Sequence, residues 1–455
     1  MMTNNSDNNS AFPDNIASDA AFAFCNGETM SYARFWQHVH YFSTLLPSDQ
    51  YFINFCEDRY LFSVALFSTA LKGAITLLPP SKTPGITDEL KREYGLVSAI
   101  SDQPLSGFSI AQLLIDYELL DRSDDFVNRP WGSNVFVKFQ QLKVVAFTSG
   151  STGRPQPQLK QWSELVDCAT CAIQHLGLSH QQYALLSTTP PQHMFGLETS
   201  VIWPYHSHLV MTNQRPFYPE DIRLAVQSMP YPVVLCSTPT HLRACISNQG
   251  DWSNLTAVIS STSPLSTVLA TEVETILGCK LYELYGSTET LSFASRRTAK
   301  QSTWTPYSGV VLESLLEQTQ ISATYLPHAV KLDDIFAIQS NGQFNVIGRS
   351  NDLIKIGGKR SSIAELNQRL HAIPGIVDGC FFRIEHAGST QRLGVLVVSK
   401  NNPDVIISEL KRHLDEVFLP RSVYYVEAIP RNLSGKIIHT ELEKMIKLEQ
   451  ELLKS

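Results

Sequence analysis

Two short segments set far apart carry residue types suited to one reaction centre. Thr148, Ser149, Gly150, Ser151, Thr152, Gly153, Arg154 and Pro155 form a run dense in hydroxyls and glycines. Glycine lets a backbone curl until its N–H groups converge on an anion, and Ser/Thr hydroxyls add further donors. The run is a phosphate cradle without a lysine, because Pro155 stands where a P-loop would need its second glycine. Asn432 to Lys436 is the complement: a lysine on a loop of small residues, with no cradle. Such a lysine is a flexible point charge that can bridge a phosphate and a carboxylate. The two segments point to a site split across two parts of the chain and working on a nucleoside triphosphate.

Three further groups have chemistry to offer. The stretch Tyr285, Gly286, Ser287, Thr288, Glu289 follows a strand-like run, Lys280 to Leu284. A glycine at a strand end permits close approach of a ligand. Thr288 is a phosphate donor, and Glu289 a hard oxygen ligand suited to Mg²⁺. Gln192 to Gly196 places His193 beside Phe195 and a glycine, and histidine is the commonest general acid or base. Asp334 is an acceptor for ribose hydroxyls, with Arg349 within reach of the same region. Read singly, each is equally a polar turn, a structural histidine or a surface lysine; order and spacing carry the case.

The elements that must position these residues follow from apolar patterning. Val144 to Phe147, Tyr183 to Ser187, Val233 to Cys236, Leu255 to Ser261 and Lys280 to Leu284 read as buried strands separated by helical stretches. Ser31 to Leu46 has helical periodicity, and the apolar stretch Tyr60 to Pro80 reads as a buried helix running into a strand. The alternation predicts an α/β fold, with layered, mostly parallel sheets and helices in a large N-terminal part. A second pattern begins near residue 330. It predicts a small α+β unit with helices at Ile363 to Leu370, Ile406 to Glu416 and Thr440 to Leu453, and strands at Cys380 to Ile384 and Leu393 to Ser399. The expected division is a disordered tail over 1–20, a large domain over 21–349 and a small domain over 350–455 that carries Lys436.

Composition excludes several classes. The chain has 455 residues, 43% hydrophobic and 17% charged, with a net charge of −7 and no Lys/Arg-rich run. A nucleic-acid partner would need a basic stripe, and an anionic membrane surface would need the same. Tyr60 to Pro80 is interrupted by Ser63, Ser68, Thr69 and Lys72, so no membrane span is expected. Eight cysteines are scattered, and only Cys168 and Cys171 form a C-x-x-C. No second pair completes a zinc set, and buried free cysteine is common as a small hydrophobe. Free thiols and the absence of a basic start before Arg34 predict a cytoplasmic protein.

Taken together and in order, these segments resemble the adenylate-forming superfamily of acyl- and aryl-CoA synthetases, nonribosomal adenylation domains and luciferases. Val144 to Pro155 resembles its phosphate loop, Gln192 to Gly196 its His-aromatic-Gly element, and Tyr285 to Glu289 its Tyr-Gly-x-Thr-Glu motif. Ile354 to Arg360 resembles the hinge-proximal motif, and Pro430 to Lys436 the catalytic-lysine loop. The chain departs from the pattern in places. Gln156 replaces a common lysine, for which Lys160 is a candidate substitute. Leu332, Asp333 and Asp334 replace Thr-Gly-Asp. Ser261, Thr262, Ser263, Pro264 and Leu265 replace Gly-Gly-Ala-Pro-Leu, Asn351 replaces the hinge aspartate, and the segment Gly309 to Pro327 is short. The variation from Gln156 to Trp162 resembles ligases of aryl polyene and xanthomonadin-type pigment clusters.

The resemblance implies a carboxylic acid–thiol ligase. It would adenylate a small acid with ATP and Mg²⁺, then pass the acyl group to coenzyme A or the phosphopantetheine of an acyl carrier protein. Thr148 to Gly153 would hold the phosphates, Thr288 the α-phosphate and Glu289 the metal. Tyr285 and Gly286 would meet adenine, and Asp334 and Arg349 the ribose. His193, Phe195 and Ser237 would shape the acid pocket. Rotation about Asn351 would withdraw Lys436 and bring Gly357 and Gly358 to line a pantetheine tunnel. The alternative is a degenerate nucleotide-binding relative without turnover.

Overall fold

The computed structural model describes residues 17–126, 141–148, 156–179, 181–247, 250–315, 318–349, 353–356, 359–384, 392–412, 414–431 and 437–452. Of the expected site residues, Ser149 to Gly153, Asn351, Gly357, Gly358 and Lys436 lie outside them, as do residues 1–16 of the polar tail. Residues 17–20, assigned to that tail by composition, form a turn instead. The Ser18 and Ala20 carbonyls accept from Ala33 N at 2.8 Å and Tyr32 N at 3.1 Å.

Apolar runs without alternation predict strands covered on both faces, and they build the larger sheet. Its nine strands lie in the order Thr305–Pro306, Leu291–Arg296, Lys280–Ser287, Leu255–Ser260, Val233–Ser237, Ala184–Ser187, Val210–Thr212, Ala21–Cys25, Glu28–Ser31. The six strands from Lys280–Ser287 to Ala21–Cys25 run parallel, and the two flanks are antiparallel. A second sheet of six runs Ala111–Leu114, Val97–Ser101, Tyr51–Asn54, Ile75–Leu78, Lys143–Thr148, Gln156–Gln161. Only its last pair is antiparallel, with Thr148 opposite Gln156.

One core joins the sheets. It takes Phe52, Leu78 and Val144 from the smaller and Leu185, Met211 and Val234 from the larger. The helix Arg59–Leu71 is buried along its whole length, as an all-round apolar helix must be, and the strand Ile75–Leu78 follows it as expected. Asp58 caps it, accepting from Leu61 N at 3.0 Å. Its one cation, Arg59, has no exposed surface. The guanidinium donates to the carbonyls of Ser187 and Thr189 at 3.1 Å each, of Thr212 at 3.1 Å and of Gln214 at 2.7 Å. It thereby pins the carboxyl ends of two adjacent strands. Among the described residues no helix is long and apolar enough to cross a membrane.

Beyond residue 350 the strands Ile376–Ile384, Arg392–Ser399 and Ser422–Tyr425 form a three-stranded sheet, accompanied by the helices Ile363–His371, Pro403–Lys411 and His439–Leu452. Its two core clusters draw on residues from Ile354 onward, and the three other clusters on residues up to Phe344. Leu442, Met445 and Ile446 of the last helix pack into one of these clusters, as its amphipathic pattern predicts.

Candidate active site

In open α/β sheets ligands bind beyond the carboxyl ends of the parallel strands. Four neighbouring strands of the large sheet end in segments singled out above. Ala184–Ser187 leads to His193, Val233–Ser237 ends on Ser237, Leu255–Ser260 opens into Ser261 to Leu265, and Lys280–Ser287 carries Tyr285 and Gly286 into Thr288 and Glu289. At about 4.8 Å between strands, the four span roughly 15 Å, the length of a nucleotide joined to a small acid.

His193 caps the short helix Met194–Leu197, its Nδ1 accepting from Phe195 N at 3.3 Å. A neutral imidazole that accepts at Nδ1 carries its proton on Nε2. Gly196 is dictated by packing: a Cβ there would lie 2.1 Å from the Pro190 carbonyl oxygen. Phe195 is buried, and Ser237 Oγ lies 2.9 Å from Thr188 Oγ1.

The stretch Tyr285 to Glu289 differs from its sequence reading. It does not follow the strand but continues it through Ser287, and it exits through a tight turn into the antiparallel strand Leu291–Arg296 rather than into a helix. Ser287 N donates to Thr290 Oγ1 at 3.1 Å, and that hydroxyl donates to the Leu291 carbonyl at 2.9 Å. Leu291 is fully buried at a positive φ of 59°, where a bulky residue is rarely found. Thr288 and Glu289 are half-buried on the turn. Tyr285 meets Trp304, Phe293, Phe336 and Phe344 edge-on, with centroids 4.9 to 6.0 Å away, which fixes its plane.

Those contacts bring the ribose-type residues to the same place. Phe336 and Phe344 belong to the paired strands Asp334–Ile338 and Phe344–Arg349, in which Asp334 stands directly opposite Arg349. Asp333, the departure beside it, is exposed, and its Oδ1 accepts from Gln318 Nε2 at 3.3 Å.

Thr262, in the stretch that replaces Gly-Gly-Ala-Pro-Leu, has a φ of 79°. A left-handed backbone costs a residue with a Cβ about 1–2 kcal/mol, whereas glycine's extra chain entropy costs about 0.5–1 kcal/mol. Thr262→Gly is therefore expected to leave stability unchanged or raise it by about 1 kcal/mol in denaturant unfolding.

Lys160 is not placed to replace the missing loop lysine. It is 4% exposed, and its Nζ donates to the Glu289 carbonyl at 2.6 Å and faces Glu164 Oε2 at 3.4 Å. A second buried titratable side chain, Glu198, escaped the sequence reading. Its Oε2 accepts from Ser292 N at 3.1 Å, and its Oε1 accepts from the Ser292 hydroxyl. Burial pushes its carboxyl up against the pull of these hydrogen bonds. The signals were a lone acid inside the apolar run Met194 to Trp203 and the i,i+4 spacing of Lys160 and Glu164. Cys168 is buried, with its thiol against the Ser292 carbonyl. All eight cysteines are free, and among the described residues no group of three or more His, Cys, Asp or Glu side chains could hold a metal.

Comparison with known proteins agrees with this arrangement. The model of the AMP-binding enzyme family matches residues 86–314. The 4-coumarate-CoA ligase 1 of Narcissus pseudonarcissus is 24% identical over 358 residues, 67% of this chain but 65%, less than two thirds, of that protein. The 4-coumarate–CoA ligase of Halorhodospira halophila is 27% identical over 309 residues, 64% of this chain and 73% of its own length. The crystal structure of ATP-bound MatB from Rhodopseudomonas palustris has the same fold, with a TM-score of 0.79 at 17% identity over 96% of this chain and 98% of MatB. The family match spans half of the chain, and three of the segments named in the resemblance, Gln192 to Gly196, Ser261 to Leu265 and Tyr285 to Glu289, lie at the carboxyl ends of strands of one sheet: the chain belongs to the AMP-binding enzyme family.

Proposed function

We propose that the chain is an ATP-dependent acid–thiol ligase acting on a small aromatic or acyl carboxylic acid. The observation that carries this reading is the alignment of His193, Ser237, Ser261 to Leu265 and Tyr285 to Glu289 at the ends of four adjacent strands. In the first half-reaction a carboxylate oxygen attacks the α-phosphorus of ATP, and the bond to the leaving pyrophosphate breaks. In the second a thiol attacks the acyl carbonyl; AMP leaves and the thiol proton is released.

Two anions must meet in the first step, so the work of the protein is positioning and charge neutralisation. On this reading Thr148, Ser149, Ser151 and Thr152 hold the β- and γ-phosphates and Thr288 the α-phosphate. Tyr285 lies against adenine, and Asp334 and Arg349 take the ribose. Lys436 spans the carboxylate and the α-phosphate, and His193, Phe195 and Ser237 bound the acid. The donor set fits magnesium: Mg²⁺ keeps several waters and takes one or two carboxylates plus phosphate oxygens, which matches a lone half-buried Glu289 and not an all-protein cage. When bound, the ion neutralises phosphate charge. Residues 350–455 act as a lid turning about Asn351, and Gly357 and Gly358 then line the path of the pantetheine thiol, where side chains would block a narrow passage. The resemblance around Gln156 to Trp162 supports starter-unit activation in pigment biosynthesis.

The test is a panel of aromatic and acyl acids incubated with ATP and Mg²⁺, offered coenzyme A and holo carrier protein in parallel, with products read by mass spectrometry. An acid-dependent AMP and a thioester on one acceptor are expected. Nucleotide binding without AMP formation for any acid would make the chain a binding protein.

A further inference from the structure

Two buried titratable side chains have no part in the reaction just proposed, yet both end on the turn that carries Thr288 and Glu289. Lys160 grips the turn at the Glu289 carbonyl. Glu198, which opens the π-helical turn Glu198–Ile202 a few residues after His193, grips it at Ser292. The two grips stand on either side of Leu291, whose positive φ is the strained point of the turn. Strained backbone persists at functional sites only where its surroundings over-determine it, and here two buried polar side chains from distant elements supply the constraint.

The lysine is the more informative of the two. An ammonium taken out of water is costly even when paired, and an apolar side chain of similar volume is often as good or better for stability. Retention of a 4% exposed lysine beside a 5% exposed Glu164 therefore calls for something an apolar residue cannot supply. A charged N–H donor to a carbonyl is such a thing, about twice as strong as a neutral hydrogen bond. Its place in the chain says what the bond is for. Lys160 lies in Gln156–Gln161, opposite Val144 of the strand Lys143–Thr148. Its Nζ reaches across to the other sheet and holds the Glu289 backbone. One buried lysine thus ties an antiparallel pair of the smaller sheet to the turn that carries Thr288 and Glu289.

We propose that Lys160 is a positioning residue, which holds the turn of Thr288 and Glu289 at a set distance from the strand Gln156–Gln161 so that the turn can meet a metal–triphosphate. The proposal rests on the reading of Glu289 as the magnesium carboxylate and Thr288 as a phosphate contact. Glu164 faces the Lys160 Nζ at 3.4 Å, and it also accepts from Gln161 N at 3.1 Å, which fixes its own place.

The experiment compares the wild type with Lys160→Met and with the double variant Lys160→Met/Glu164→Gln, which leaves no carboxylate unpaired. Mn²⁺·ATP affinity is read by water-proton relaxation, which needs no turnover, and pyrophosphate exchange gives kcat and the KM of the acid. The double variant is expected to fold, to bind Mn²⁺·ATP about tenfold more weakly and to exchange about 100-fold more slowly, with the KM of the acid unchanged. Wild-type Mn²⁺·ATP affinity in the double variant overturns the proposal. So does a double variant that fails to fold, or one that loses acid and nucleotide affinity alike, because Lys160 is then a structural residue only. A wild-type protein that binds Mn²⁺·ATP but exchanges pyrophosphate with no acid refutes the ligase reading, and the affinity comparison still decides the role of Lys160.

Discussion

Lys436→Ala is expected to abolish adenylation and to spare thioester formation from a supplied acyl-adenylate. Removing one charge-stabilising donor from a transition state typically costs about 10²–10³-fold in rate, and a lysine that bridges both reacting anions belongs at the upper end. The second half-reaction joins a thiol to an already activated acyl group, so that lysine has no anions left to reconcile. The described residues show what holds the loop at its neck. Arg431 and Ile437 form an antiparallel bridge, and Ile438 N donates to the Pro430 carbonyl at 2.9 Å. Arg431 is held by Asp378 through a two-pronged pair at 2.9 and 2.8 Å. Burial pushes the Asp378 carboxyl up, but hydrogen bonds from His371 and Arg431 and the Arg431 charge outweigh it and hold it well below the usual range. The described residues that flank the segment are thus tied down, and none of these bonds involves the side chain that alanine removes. Pyrophosphate exchange and single-turnover thioester formation, measured on the same preparation, separate the half-reactions; exchange at the wild-type rate would refute the assignment.

Gly286→Ala is expected to have the second largest effect. A Cβ there would stand 2.2 Å from the Leu291 carbonyl oxygen and 2.7 Å from the Ser292 Cα, both backbone atoms of the returning strand. No side chain can swing aside, so the turn itself must move. Overpacking of this kind costs about 1–3 kcal/mol, and a shift of about 1 Å in Thr288 and Glu289 costs about 100-fold in rate. Gly85→Ala is the control: a Cβ there meets nothing within 4 Å, and both stability and exchange should stay close to wild type. Denaturant unfolding and pyrophosphate exchange check the pair; a fully active Gly286→Ala would mean that this turn tolerates displacement and does not position reacting groups.

The layers were legible in the sequence because local pattern specifies them. Val233 to Cys236 and Ala257 to Ile259 are continuous apolar runs, and such runs require cover on both faces. The glycines of the site were legible as well, since a glycine in a functional stretch signals close backbone approach. Gly196 and Gly286 both prove to face carbonyl oxygens at distances no Cβ allows.

What stayed hidden depends on contacts far apart in the chain. The strand Gln156–Gln161 has three glutamines, a proline and a lysine among its six residues; nothing in its own propensity predicts a strand, and its partner Lys143–Thr148 imposes one. The partner of Lys160 is 129 positions away, and that of Glu198 is 94. Short-range periodicity carries no information about either, so Lys160 read as a candidate substitute for the lysine that Gln156 replaces, when its Nζ donates to the Glu289 carbonyl of the neighbouring turn. Asp334 and Arg349 were matched by their spacing, but only the strand register shows that they stand opposite one another.

The inventory of thiols has a practical consequence. Seven of the eight cysteines are buried, and Cys171, on the helix Trp162–Leu176, is half-exposed. The native chain therefore comes with a single addressable sulfur on a rigid support. A fluorophore or spin label attached to Cys171, paired with one cysteine introduced beyond residue 350, would test the proposed lid rotation as a change in distance, with no need to strip the other thiols from the protein first.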